Sequence, residues 1–397
     1  MIFAVITGVA CGLAGSAFHY ALDFAAETFG RFPYIIYMLP LSGIFIVFIY
    51  RLLQIFNDEG TNSILRAARA EDAAALRVAP LIFISTFLTH LCGGSAGREG
   101  AALQIGGSIG SFIGRKFHMG KYDHQLMVMC GMSATFCALF ATPLAAAFLS
   151  IEIAGVGTVF YAGLVPSVLA SFIAMLISRS LGVEPLSFPY AAAQTTDIYL
   201  LLKILLFASL TALLGIIFCS VMHNTRNTFQ KFIRNPYLRV AAGSLLVIAI
   251  TFLSGTHAYN GAGMETIERA LSGEAEPEAF ILKLILTAVT LGSGFKGGEI
   301  VPAFFAGSTF GCTLGILLGL DPMFAAELGL IGLFCSVVNC PVTSILLSVE
   351  LFGSDNFLLF GITAAVTYML SGYYSLYSGQ KFMNSKLVPV AFERPAK

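Results

Sequence analysis

The chain has 397 residues, 57% of them hydrophobic and 11% charged, with a formal net charge of zero. Soluble domains run at roughly 45 to 50% apolar and about 25% charged, so the composition excludes an ordinary soluble fold, and the absence of a basic excess argues against a nucleic-acid partner. Eight cysteines without a CxxC pair, and six histidines without an HExxH motif, argue against a disulfide framework, a metal site or a metal-dependent enzyme, and no cofactor is expected.

A helix needs about 20 mostly apolar residues to cross a hydrocarbon core of about 30 Å. Such runs are expected near residues 1–22, 33–56, 79–92, 101–117, 126–152, 158–181, 198–222, 239–254, 279–293, 300–319, 324–352 and 357–376. The first lacks a basic leader and a cleavage site, so it reads as a retained span rather than a signal peptide. Several runs are short or interrupted, and the chain holds 40 Gly and 14 Pro, which predicts broken or half-crossing helices. Inside lipid, such breaks persist only where they are buried in protein or line a wet cavity, which favours a transporter or channel over an anchor. The segment HNTRNTFQKFIRNPYLR (223–239) reads as a loop with five basic residues, His223, Arg226, Lys231, Arg234 and Arg239, and no acidic one. Lys381, Lys386, Arg394 and Lys397 gather at the C-terminus. The positive-inside rule places both segments in the cytoplasm.

Three stretches recur in the same order. GTNSILRA (60–67) aligns with GMETIERA (263–270) at an offset of 203, and TPLAAAFLSIEI (142–153) with CPVTSILLSVEL (340–351) at 198. Between them, GREGAALQIGGSIG (97–110) aligns with GGEIVPAFFAGSTFG (297–311) at an offset of 200, which sets Glu99 opposite Glu299. Three collinear matches mark a duplicated unit, with repeats of about 1–190 and 191–385 and a short tail 386–397, all in one transmembrane domain. Interrupted helices at corresponding places in two repeats are where transporters build their substrate site. Ionisable residues at membrane depth usually serve transport, which singles out Glu99 and Glu299. The structural alternative pairs Glu99 with Arg98, and Glu299 with Lys296 as a counter-ion. Glu152 and Glu350, at matching places in the repeat, are expected to cap helix ends rather than to carry protons.

These stretches resemble the CLC family of chloride channels and proton-coupled anion exchangers over nearly all of the chain. GREGA (97–101) is similar to the family's GREGP motif, GGEIVP (297–302) to its GxFxP motif and GTNSIL (60–65) to its GSGIP motif. The resemblance implies an all-α polytopic membrane protein, two halves of tilted and broken helices forming an inverted repeat, and a homodimer with one pathway per subunit. Departures from the family pattern point within it: Asn62, with Ser63 beside it, stands where chloride-transporting members place a serine, Ala101 replaces a proline, and Ile300 replaces a phenylalanine. Together with the glutamate of FKGGE (295–299), they resemble the fluoride/proton antiporter branch. The position after Glu152, where chloride exchangers carry a second proton-passing glutamate, is Ile153.

That resemblance gives Glu99 the role of gate and proton carrier, and it makes Asn62, Ser63, Gly97, Arg98, Gly100, Ala101, Gly298, Ile300, Val301 and Tyr377 the anion-binding set. Fluoride is a strong hydrogen-bond acceptor, and glycine-rich helix N-termini offer it backbone N–H groups and a favourable dipole. Such groups alone do not separate fluoride from chloride. A protonated Glu299 does, because it donates a charge-assisted hydrogen bond that an ionised one cannot, and as a titrating group it is expected to carry protons alongside Glu99. The expected function is export of fluoride from the cytoplasm in exchange for protons across a bacterial inner membrane. A chloride or other anion exchanger, or a passive channel on the same scaffold, is the alternative. Only about 20 residues follow the last run, so no soluble regulatory domain is expected.

Overall fold

Backbone polar groups in a hydrocarbon layer must find partners within the chain, and helices meet that demand segment by segment. The computed structural model describes residues 1–55, 59–388 and 391–397 and holds sixteen α-helices among them. The first eight are α1 (Ile2–Arg31), α2 (Leu39–Leu52), α3 (Thr61–Ala68), α4 (Val78–Leu91), α5 (Glu99–Lys116), α6 (Lys121–Phe140), α7 (Pro143–Glu152) and α8 (Leu164–Ser180). The second eight are α9 (Ile198–Phe232), α10 (Pro236–Ser254), α11 (Met264–Leu271), α12 (Ala279–Ser293), α13 (Ile300–Leu318), α14 (Pro322–Val338), α15 (Pro341–Phe352) and α16 (Phe357–Leu370).

The longest and shortest helices hold corresponding places in the two sets, with 30 and 35 residues for α1 and α9 and eight each for α3 and α11. Packing partners recur as well. α1 lies against α4, α6 and α8 as α9 lies against α12, α14 and α16, while α5 packs on α6 as α13 packs on α14. Both of the latter crossings need glycine. A Cβ at Gly106 would stand 2.0 Å from the Gly131 carbonyl oxygen, and one at Gly307 would stand 2.4 Å from that of Gly329. Small residues of this kind let membrane helices approach backbone to backbone.

Among the described residues, six helical segments are long and apolar enough to cross a membrane; α4, α7, α12, α14, α15 and α16 are shorter. The chain is a multi-pass membrane protein in which long apolar helices alternate with shorter ones. Two expected spans are each two helices. Run 126–152 breaks where Ala141 turns left-handed (φ 55°) ahead of Pro143, and run 324–352 breaks at Asn339 (φ 60°) ahead of Pro341. Proline lacks an N–H and pushes the residue before it out of the helical region, so each helix restarts at the proline.

The basic segment 223–239 is not a loop in its first ten residues, because α9 continues to Phe232. Nor is the fold purely helical. β1 (Gly155–Val156), β2 (Lys381–Asn384) and β3 (Ala391–Pro395) form a small sheet in that order, β1 parallel and β3 antiparallel to β2. The C-terminal tail is thus paired back onto the segment that follows α7.

Glu152 and Glu350 cap helices reciprocally. The Glu152 carboxylate accepts from the N–H groups of Val342 (3.2 Å) and Thr343 (2.9 Å) at the start of α15. Glu350 in turn accepts from Leu144 and Ala145 (both 2.9 Å) at the start of α7. Each carboxylate serves N–H groups that have no partner inside their own helix.

Candidate functional site

The N-termini of α5 and α13 meet where the two Gly-Glu stretches cross. Gly97 and Gly298 form an antiparallel bridge, each N–H donating to the other's carbonyl at 2.8 Å. Arg98 and Glu299 then stand at the same helix-entry position, and Glu99 and Ile300 each begin a helix. This corrects the sequence alignment: Glu99 is not opposite Glu299. Matching identical letters gave an offset of 200, whereas the hydrogen-bonded bridge sets the register one residue further, at 201.

Glu99 is fully buried, and its carboxylate accepts from the N–H of Val301 at 3.0 Å and of Arg98 at 3.1 Å. A negative group thereby occupies the place where both helix dipoles and free N–H groups converge. The glycines make room for it. A Cβ on Gly97 would come within 2.5 Å of a Glu99 carboxylate oxygen, and one on Gly298 within 2.8 Å. Gly100 is similarly tight, a Cβ there standing 3.2 Å from the Gly298 Cα, and Ala101, Ile300 and Val301 are fully buried.

The Arg98 guanidinium is not paired with the Glu99 side chain. It points to α1, 3.7 Å from Asp23 and 3.4 Å from the Nδ1 of His19, and it lies over the Phe140 ring. Its contribution at the carboxylate is its backbone N–H.

Glu299 is half-buried and lines a cavity of about 1040 Å³. Six cationic side chains, Arg51, Arg66, Arg226, Arg234, Arg239 and Lys296, share its wall with two acidic ones, Glu59 and Glu299. The basic segment of the sequence thus supplies the mouth of the site. Lys296 does not pair with Glu299; its ammonium lies 4.6 Å from the centre of the Tyr50 ring. Asn62 and Tyr377 line the same cavity. The Asn62 side chain accepts from the Gly379 N–H (2.8 Å) and donates to Ser378 (3.2 Å), which holds the Tyr377 loop against the start of α3. Ser63 donates to its own helix entry at Gly60 (2.8 Å).

Among the described residues, the Tyr377 hydroxyl and the Gln104 carbonyl oxygen are buried without a hydrogen-bond partner. Gln104 donates to Thr61 (3.4 Å), and both line the cavity. A buried hydroxyl without a partner is a donor available to an incoming polar group. Sequence reasoning missed Thr61 and Gln104. The available signal was a lone amide in the apolar, glycine-rich stretch AALQIGGSIG. Among the described residues no group of three or more His, Cys, Asp or Glu could hold a metal.

The sequence profile of the voltage-gated chloride channel family matches residues 42–372. A chloride/fluoride channel protein of Pseudomonas syringae pv. tomato is 30% identical over 96% of this chain and 86% of its own length. The proton/chloride exchange transporter ClcA of Vibrio cholerae is 25% identical over 90% of this chain and 83% of its own. Among solved structures, a CLC-type fluoride/proton antiporter superposes with a TM-score of 0.92 at 31% identity, covering 96% of each chain.

Proposed function

Because this chain belongs to the voltage-gated chloride channel (CLC) family, we propose that it is a fluoride/proton antiporter, carrying fluoride out of the cytoplasm as protons enter. The observation that carries the reading is the Glu99 carboxylate held by the Arg98 and Val301 N–H groups at the meeting point of α5 and α13. A carboxylate and an anion cannot share those donors. When Glu99 takes up a proton, it loses the charge that the helix termini hold and leaves the position to fluoride; when fluoride departs, the ionised carboxylate returns. Proton and anion then move in opposite directions because they exclude one another.

Glu299, at the cavity wall, is the fluoride-selecting donor. Protonated, it hydrogen-bonds fluoride; ionised, it repels any anion. The cations around the cavity raise the local anion concentration. Asn62 and Tyr377 close the inner end of the path, and the two halves are of opposite orientation. The protein is a homodimer in a bacterial inner membrane, with one pathway per subunit and a cytoplasmic C-terminus. It is not an enzyme. Purified protein in phospholipid vesicles tests the reading: fluoride efflux should far exceed chloride efflux, whereas equal efflux would make this a general anion exchanger.

A further inference from the structure

Lys283 stands in the second turn of the apolar helix α12 and is fully buried. A buried ammonium in a membrane segment is costly and is retained where it serves a site. Its partners are backbone carbonyls, Gly261 at 2.7 Å and Tyr259 at 3.2 Å, with its third face toward the Phe305 ring, 5.0 Å from the centre. Two carbonyls and a ring face satisfy the protonated amine.

Those carbonyls lead to the gate. The Gly261 oxygen also accepts from the Ala96 N–H (3.2 Å), and the Tyr259 oxygen accepts from the Ser95 hydroxyl (2.9 Å). Asn260 between them donates to the Gly93 carbonyl at 2.7 Å. Two further residues on the same face of α12 hold Ser95 directly. Thr287 lies 3.1 Å from its hydroxyl, and Thr290 accepts from its N–H at 3.2 Å. Lys283, Thr287 and Thr290 follow the i, i+4, i+7 spacing of one helix face, and all three are fully buried. The segment they grip runs straight into Gly97, Arg98 and Glu99. The ionisable groups within electrostatic reach of Lys283 are Glu99 on α5 and His90 on α4.

We infer that Lys283 is a positioning residue for Glu99: through the strap 259–261 it fixes the turn that presents the Glu99 carboxylate, and its charge balances that carboxylate from behind. The inference rests on the exchange reading above, and its test separates the two. Wild type, Lys283→Met and Lys283→Gln are purified, checked for a monodisperse peak and reconstituted in vesicles. Fluoride efflux and proton uptake are then recorded together from mildly acidic to neutral pH.

Lys283→Met removes both grip and charge, and its turnover should fall about tenfold or more, with fewer protons moved per fluoride. Lys283→Gln can still donate to the strap and should recover most of the rate. Its pH midpoint should nevertheless rise by about one unit, because losing a nearby cation disfavours an ionised carboxylate. A merely structural lysine would move yield and leave the midpoint of folded protein in place. Should neither variant fold, Thr287→Val weakens the same grip without touching the charge, and it should lower the protons moved per fluoride. Wild-type rate, coupling and pH midpoint in every variant that folds would overturn the inference. A wild type that moves anions without protons would instead refute the exchange reading, and the lysine is then judged on the flux of whichever anion the wild type carries.

Discussion

Glu99 and Glu299 share a letter and a neighbourhood but not a position. One is sealed between two helix N-termini and the other faces a wet, cationic cavity. Their substitutions should therefore fail differently. Glu99→Gln cannot ionise, so it should abolish proton uptake coupled to fluoride; normal uphill transport by that variant would remove Glu99 from the mechanism. Glu299→Ala deletes a hydrogen bond to a charged ligand, about 1.5–3 kcal/mol, and should lower fluoride transport by about 10- to 100-fold. Glu299→Gln keeps a donor and should bind fluoride while losing proton coupling. Lys296→Met should leave selectivity intact, since its ammonium sits on Tyr50 rather than against Glu299. Fluoride efflux and proton uptake measured beside the yield of folded protein distinguish these outcomes. Motif resemblance singled out Glu99, the flanking glycines and Tyr377, and the fold sets the glycines in the Gly97–Gly298 bridge and Tyr377 at the cavity wall. It did not find the one-residue difference in register, which a backbone bridge decides, nor Thr61 and Gln104, which belong to no motif. Lys283 was visible as the single charge in AFILKLILTAVTLGS, but its partners are carbonyls distant in sequence.

At the level of elements, the apolar runs were legible and their ends were not. α6–α7 and α14–α15 read as single spans because hydrophobicity is continuous across the break, while the dihedral reversal at Ala141 and Asn339 is local. The three strands are too short, at two to five residues, to leave a period in the sequence. The capping expectation for Glu152 and Glu350 followed from their equal spacing after a proline, and the contacts agree with it. Glu152→Gln retains one acceptor but loses the charge facing the α15 N-terminus. It should destabilise the protein by about 1–2 kcal/mol without altering proton coupling. A thermal unfolding midpoint in detergent, read beside the coupling ratio, checks this. Unchanged stability with lost coupling would make Glu152 a proton carrier instead.

Across the whole molecule, eight helices and then eight more share one order of packing partners, and the short bridge between Gly97 and Gly298 ties the two sets at the site. The sequence pointed to a duplication through three stretches whose Gly, Pro and Glu residues recur at nearly equal offsets, even where the apolar residues between them differ. The cationic cavity was only half readable. Arg226, Arg234 and Arg239 stood out as a basic cluster, but Arg51, Arg66 and Lys296 join them through the fold alone. With Glu99 and Glu299 acting as proposed, fluoride and proton movement are obligatory partners, so the decisive measurement is uphill transport. With fluoride equal on both sides of a vesicle membrane and no voltage across it, a pH gradient alone should drive fluoride to accumulate on the acidic side. Fluoride that stays equal on both sides while leaking freely down its own gradient would contradict the account.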